Sequence, residues 1–120
     1  MPPGRRLLGQ TGEALAAVAL ENNGYRILTR NYRTPFGEID LIARHDGYLV
    51  FIEVKLRRNT CYGTPLEAVT RSKRERLWLS AQQYLQEQGT PETMVRFDVI
   101  AITLERGRAE IEIIPQAFED

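Results

Sequence analysis

Apolar and polar residues follow two rhythms along this chain, and the changes of rhythm mark its elements. From about Thr11 to Asn23, in TGEALAAVALENNGY, apolar residues fall nearly all round the helical turn and Gly24 supplies a stop, which predicts a buried helix. YRILTRNYR then reads as a strand, and TPFG as the turn after it. Residues 38 to 55, EIDLIARHDGYLVFIEVK, hold two apolar runs split by Asp46-Gly47, a pair favoured in two-residue hairpin turns because both positions need positive φ. Beyond a polar loop, LRRNTCYGT, a long amphipathic helix is predicted to run to Gly89. Its start has Thr64 as N-cap, Pro65 at the first position and Glu67 three residues on. VRFDVIAITL and RAEIEIIPQAF give two more strands, the second polar enough for a sheet edge. The order helix, three strands, helix, two strands predicts an α/β domain. A right-handed crossover from Lys55 to Arg96 would set the fourth strand parallel to its neighbour in a mixed sheet flanked by helices.

The hairpin turn fixes a register. If Asp46 and Gly47 form the whole loop, His45 pairs with Tyr48, Ile42 with Phe51, Asp40 with Glu53 and Glu38 with Lys55. Directly opposed side chains share a face at about 4.5–5.5 Å, so Asp40 and Glu53 would be like charges in contact. Burying such carboxylates unpaired is costly. Lys55, two residues past Glu53, lies on the same face. A charge network in which Lys55 neutralises both acids accounts for these residues. So does a divalent ion held by Asp40 and Glu53, which would activate a bound water and clamp a phosphate while Lys55 orients or stabilises the nucleophile. All-oxygen ligands point to Mg²⁺ or Mn²⁺.

Composition narrows the setting. With 120 residues, 42% of them hydrophobic, the chain suits one domain with a real core. Its apolar runs fall short of a membrane span, and no long apolar stretch follows the arginines of MPPGRRLLGQTGE to act as a signal peptide. A cytoplasmic protein with no membrane partner and a mobile start over residues 1–8 is therefore expected. One cysteine, Cys61, excludes an internal disulfide and a cysteine-rich zinc site, and His45 reads as a residue beside the turn. Zero net charge argues against coating nucleic acid through bulk charge. Residues 54 to 76 nonetheless gather Lys55, Arg57, Arg58, Arg71, Lys73, Arg74 and Arg76 against only Glu67 and Glu75. A basic region beside the carboxylates would draw in a polyanion, with Arg57, Arg58, Arg71, Lys73 and Arg74 as nucleic-acid contacts. A solvated helix face explains the Arg71 to Arg76 run equally well.

A strand bearing Asp, then a hairpin partner reading Glu-x-Lys, in αβββαβ order, resembles the PD-(D/E)xK or restriction-endonuclease-like superfamily, with Asp40, Glu53 and Lys55 at the matching positions. More narrowly, GEIDLIA, VFIEVKLR, YGTPLEAV, RFDVIAI and the opening GEALAAVALENNGYRILTRNYR resemble the YraN-like family of small bacterial proteins, from Gly9 to Phe118. The superfamily resemblance implies metal-dependent phosphodiester hydrolysis in DNA, branched DNA among the candidate substrates. Asp40 and Glu53 would be metal ligands and Lys55 the catalytic lysine. Relatives that resolve Holliday junctions carry a further glutamate on the first helix, a role Glu13 would match, and they act as homodimers. Ile39 stands where the motif's namesake proline would be. The alternative is a catalytically silent nucleic-acid-binding or interaction module, although such a module has no need of two opposed acids that repel phosphate.

Single residues carry the same choice between structure and chemistry. Glu13, in a helix's first turn, is favoured by the macrodipole without further purpose, yet it shares a surface with Ala16, Ala17 and Leu20 that should be buried. Spacings of four place Lys73 beside Val69, Leu77 and Ala81, where its stem can lie along the core or its amine reach a phosphate. Asp98 shares a strand face with Ile100 and Ile102 and is expected to hold an arginine or backbone amides. Tyr84, with Gln82 and Gln83, loosely resembles a helical element of some nucleases in the superfamily.

Overall fold

Among the described residues, every strand pairing follows chain order, and one pair alone is parallel. The computed structural model describes residues 5–58, 64–89 and 94–118. They form α1 (Arg5–Asn22), β1 (Arg26–Thr34), β2 (Gly37–His45), β3 (Tyr48–Arg57), α2 (Arg71–Gln88), β4 (Val95–Glu105) and β5 (Arg108–Ile114). The sheet order is β1-β2-β3-β4-β5, antiparallel except for β3 and β4, whose connection carries α2. This is the mixed α/β sheet expected, compatible with an αβββαβ core, and β5 lies at an edge as its polarity predicted.

Strand periodicity assigns the two helices to opposite faces. Leu49 and Phe51 of β3 pack with Leu77, Ala81 and Tyr84 of α2, while Val50 and Ile52 pack with Ala16 and Leu20 of α1. Covered on both faces, β3 and β4 bury nearly continuous apolar runs. Removing each large aliphatic or aromatic side chain there from water stabilises the fold by about 1.5–3 kcal/mol. The Asp46-Gly47 turn is as expected, with φ values of 50° and 83°. Tyr84 sits edge-on to Tyr32 and Phe51 in the α2-side core, so its place is structural.

Both helices depart from their predicted bounds. α1 begins at Arg5, ahead of Thr11, so it takes in the last four residues of the segment expected to be mobile, and Glu13 lies in its interior. The macrodipole account of Glu13 therefore does not apply. Nor is α1 buried all round, since Val18 is 59% exposed. At the other helix, Thr64 accepts the Glu67 amide at 3.3 Å, but the cap closes only a 3-10 turn over Leu66–Ala68. Val69 is extended (φ −98°, ψ 92°) and buried in the α2-side core, which breaks the helical run. Thr70 is the N-cap of α2, accepting the Lys73 amide at 3.2 Å, and Gly89 ends it at φ 67°. Cys61 lies outside the described residues.

A buried polar network ties the fold together on the α1 side. Asp98 takes Arg96 Nε at 2.9 Å and Nη2 at 2.7 Å, the Tyr25 hydroxyl at 2.7 Å and the Gln116 amide at 2.9 Å. It thus holds both an arginine and a backbone amide, as expected. Burial, then the Asp98 carboxylate, pushes the Tyr25 hydroxyl well above its ordinary range. His45 is more than a neighbour of the turn. Its ring stacks on Tyr25 with centroids 3.8 Å apart, and its Nδ1 lies 2.8 Å from Arg96 Nη2. Arginine can only donate, so Nδ1 accepts and the proton sits on Nε2.

Candidate metal centre

β2 and β3 pair in the predicted register over five positions, from His45↔Tyr48 to Leu41↔Ile52, and then stop. Beyond that point the Val54 amide donates to Asp40 Oδ2 at 2.8 Å, so a side-chain carboxylate receives the strand amide next to Glu53. Ile39 packs in the α2-side core and Leu41 in the α1-side core, although residues two apart in a regular strand share a face. The pleat is broken at Asp40. Opposite it on β1, Asn31 has φ 55°, although the register is the same on either side of it, Arg30↔Leu41 and Tyr32↔Ile39. The expected pairing of Asp40 with Glu53 and of Glu38 with Lys55 is therefore not part of the ladder. Glu38 instead pairs with Arg33 of β1, whose Nε lies 3.6 Å from its carboxylate.

The acids divide into two groups. Glu13 of α1 and Glu38 and Asp40 of β2 each present a carboxylate oxygen within 4.8 Å of the others. Three carboxylates at that spacing suit a hard divalent ion, needing small rotations to reach Mg²⁺–oxygen distances of about 2.0–2.1 Å. Glu53, with 3% of its side chain exposed, is instead bracketed by ammonium groups, Lys73 Nζ at 2.6 Å and Lys55 Nζ at 3.6 Å. The sequence joins Asp40 to Glu53 and, through the resemblance, to Glu13. The structure places Asp40 with Glu13 and adds Glu38, which stands two residues before Asp40 at strand spacing but had found a sufficient partner in Lys55.

The two groups still act on one another. Burial, then the Glu53 charge, pushes the Asp40 carboxyl up to about 7, with Glu13 adding to the rise while the Val54 amide and Lys73 oppose it. Lys55 is pulled below its ordinary range by burial, against the pull of Glu53. Burial would do the same to Lys73, but its hydrogen bond and attraction to Glu53 outweigh that and raise it.

A cleft of about 310 Å³ adjoins this centre, lined by Gly37, Glu38, Lys73, Arg76 and Leu77. Of the predicted nucleic-acid contacts, Lys73 alone lines it. Arg71 is exposed and pairs with Glu75 at 3.4 Å, and the Arg74 guanidinium lies 5.9 Å from the Phe118 ring centroid. Arg57 Nε reaches Thr103 Oγ1 at 3.4 Å, and Arg58 is exposed. Arg76, one of the basic run but not singled out from it, is the other cation at the cleft.

Residues 12–102 match the Uncharacterised protein family UPF0102, and the chain belongs to that family. The matched span contains Glu13, Glu38, Asp40, Glu53, Lys55 and Lys73. The chain is 48% identical over 116 residues to a UPF0102 protein of Moorella thermoacetica, an alignment covering 95% of this chain and 97% of that one. It is 45% identical over 115 residues to one of Syntrophotalea carbinolica, covering 96% and 94%, and 48% identical over 112 residues to one of Rhodococcus opacus, covering 92% and 95%. The resemblance to small bacterial YraN-like proteins thus holds at the level of this family. Among the described residues, no helix is long and apolar enough to cross a membrane.

Proposed function

We propose that this protein is a divalent-metal-dependent nuclease of the restriction-endonuclease-like superfamily that hydrolyses phosphodiester bonds in DNA, a reading supported by its αβββαβ order and by Asp40, Glu53 and Lys55 at the motif's positions. The observation that carries the reading is the convergence of Glu13, Glu38 and Asp40 from two elements within 4.8 Å, beside a buried glutamate bracketed by two lysines. Those three carboxylates would hold Mg²⁺ or Mn²⁺. When bound, the ion supplies charge neutralisation at the scissile phosphate and a more acidic water. Lys55, held beside Glu53, would orient the attacking water or stabilise charge developing on the phosphoryl oxygens. Lys73 and Arg76 offer positive charge to a phosphate in the cleft. A branched substrate with two-fold symmetry would call for two copies of the chain. The bracketing of Glu53 by lysines is also what a catalytically silent nucleic-acid-binding module would keep.

The test is incubation with junction, flap, single-stranded and duplex DNA, and with RNA, in Mg²⁺ or Mn²⁺. Cleavage of a DNA substrate, abolished by chelation and lowered roughly a hundredfold or more by Asp40→Asn, is the expected outcome. Binding without cleavage of any substrate would leave the silent module.

A further inference from the structure

Glu53 has more positive charge than a single buried carboxylate requires. Lys55, its neighbour on the same strand face, is already there at 3.6 Å, yet a second ammonium, from α2, approaches the same oxygen Oε1 at 2.6 Å. Lys73 is delivered by the first turn of α2, three residues after the Thr70 cap, and its charge acts on Asp40 as well as on Glu53. Lys73 thus takes from the helix side an oxygen of Glu53 that already has an ammonium beside it.

The charges of the centre give that position a meaning. Once Asp40 has given up its proton, Glu13, Glu38, Asp40 and Glu53 face Lys55 and Lys73, so four carboxylates meet two ammonium groups. The excess of two negative charges is what one divalent ion neutralises. Arg33 also approaches Glu38 and Arg76 lines the cleft beside it, but both are exposed, Arg33 at 80%, so their charge is largely screened by solvent. Without Lys73 the excess rises to three, more than one ion can meet, with Glu53 left to Lys55 alone.

We infer that Lys73 is an intramolecular counter-cation, filling the position on Glu53 that a second divalent ion would take and so making this a one-ion site. The inference rests on the reading that Glu13, Glu38 and Asp40 hold the first ion. It is tested by counting Mn²⁺ ions bound per full-length chain, by calorimetry and by the spin signal of free Mn²⁺, in the natural protein, Lys73→Met and Lys73→Arg. Circular dichroism confirms folding, and Lys73→Gln is read in the same way should the methionine variant not fold.

One ion is expected in the natural protein and in Lys73→Arg, and two in Lys73→Met. One ion in all three, with affinity unchanged within threefold, overturns the inference and leaves the ligand set standing, as does a count of two in the natural protein. No ion in the natural protein but one in Lys73→Met supports the role of Lys73 and removes Glu13, Glu38 and Asp40 as the ligand set. Failure of every variant to bind Mn²⁺ sinks both.

Discussion

Asp40 is a carboxylate that the fold makes reluctant to ionise. Its carboxyl, pushed up to about 7 by burial and then by Glu53, keeps its proton in the folded chain at pH values where the unfolded chain has lost it. Stability from this group is therefore full below the ordinary carboxylate range, declines as pH rises towards about 7, and levels off above that. Each unit of such a shift is worth about 1.4 kcal/mol. Without divalent ions, the melting temperature should fall as pH is raised through this window, and Asp40→Asn should flatten the decline. Mg²⁺ or Mn²⁺ should raise the melting temperature of the natural protein most where Asp40 is ionised, and have no such effect on the variant. An undiminished pH slope in Asp40→Asn would assign the titration to another group. At this scale the sequence is informative wherever a charge has no evident partner. Asp40 and Asp98 stood out because each interrupts an apolar run. Glu38 did not, since the extrapolated register matched it with Lys55, and His45 did not, since its partner Arg96 is 51 residues away.

At the scale of elements, legibility depends on how local the deciding interaction is. The hairpin register follows from two turn residues and holds over five pairs. Its end does not, because there the Asp40 carboxylate takes the Val54 amide, opposite an Asn31 held at φ 55° in the neighbouring strand. The start of α2 shows the same contest. Thr64, Pro65 and Glu67 satisfy the local rules for a helix start, but burial of Val69 in the core requires an extended residue five positions later, and the helix restarts at Thr70. Thr70→Ala should thus destabilise the protein by about 0.5–2 kcal/mol, read as a lower denaturant midpoint with unchanged slope. Thr64→Ala, which loses a 3.3 Å bond at an exposed 3-10 turn, should cost less. Equal losses would mean that the two turns act as one helix.

Across the whole molecule, the Asp98 network joins segments distant in sequence: Tyr25 after α1, His45 at the hairpin turn, Arg96 in β4 and Gln116 after β5. Asp98→Ala would leave the Arg96 guanidinium buried without its carboxylate, a loss of roughly 3–5 kcal/mol. Replacing both partners with apolar residues, Arg96→Met with Asp98→Leu, should cost markedly less, because no charge is then left unpaired. Urea unfolding separates the cases, and a double variant as unstable as Asp98→Ala would show that the rest of the network, not the unpaired charge, sets the loss. The α/β class was legible in the order of apolar runs. The division of the acids between two groups was not, because it arises where three strands and both helices meet.

The single parallel pairing has a consequence in time. β1 to β3 and β4 to β5 each fold back through short turns, whereas β3 and β4 meet only after the chain between Arg57 and Val95 has crossed over. All four carboxylates of the centre precede that crossing, and Lys73 lies within it. As the chain is synthesised, its acids emerge first and the ammonium that covers Glu53 emerges later. Docking of α2 and β4 onto the earlier strands is therefore the slow, non-local closure of the sheet and also a neutralisation of charge. Salt, which screens attraction and repulsion alike, then bears on the assembly of this protein as well as on its stability.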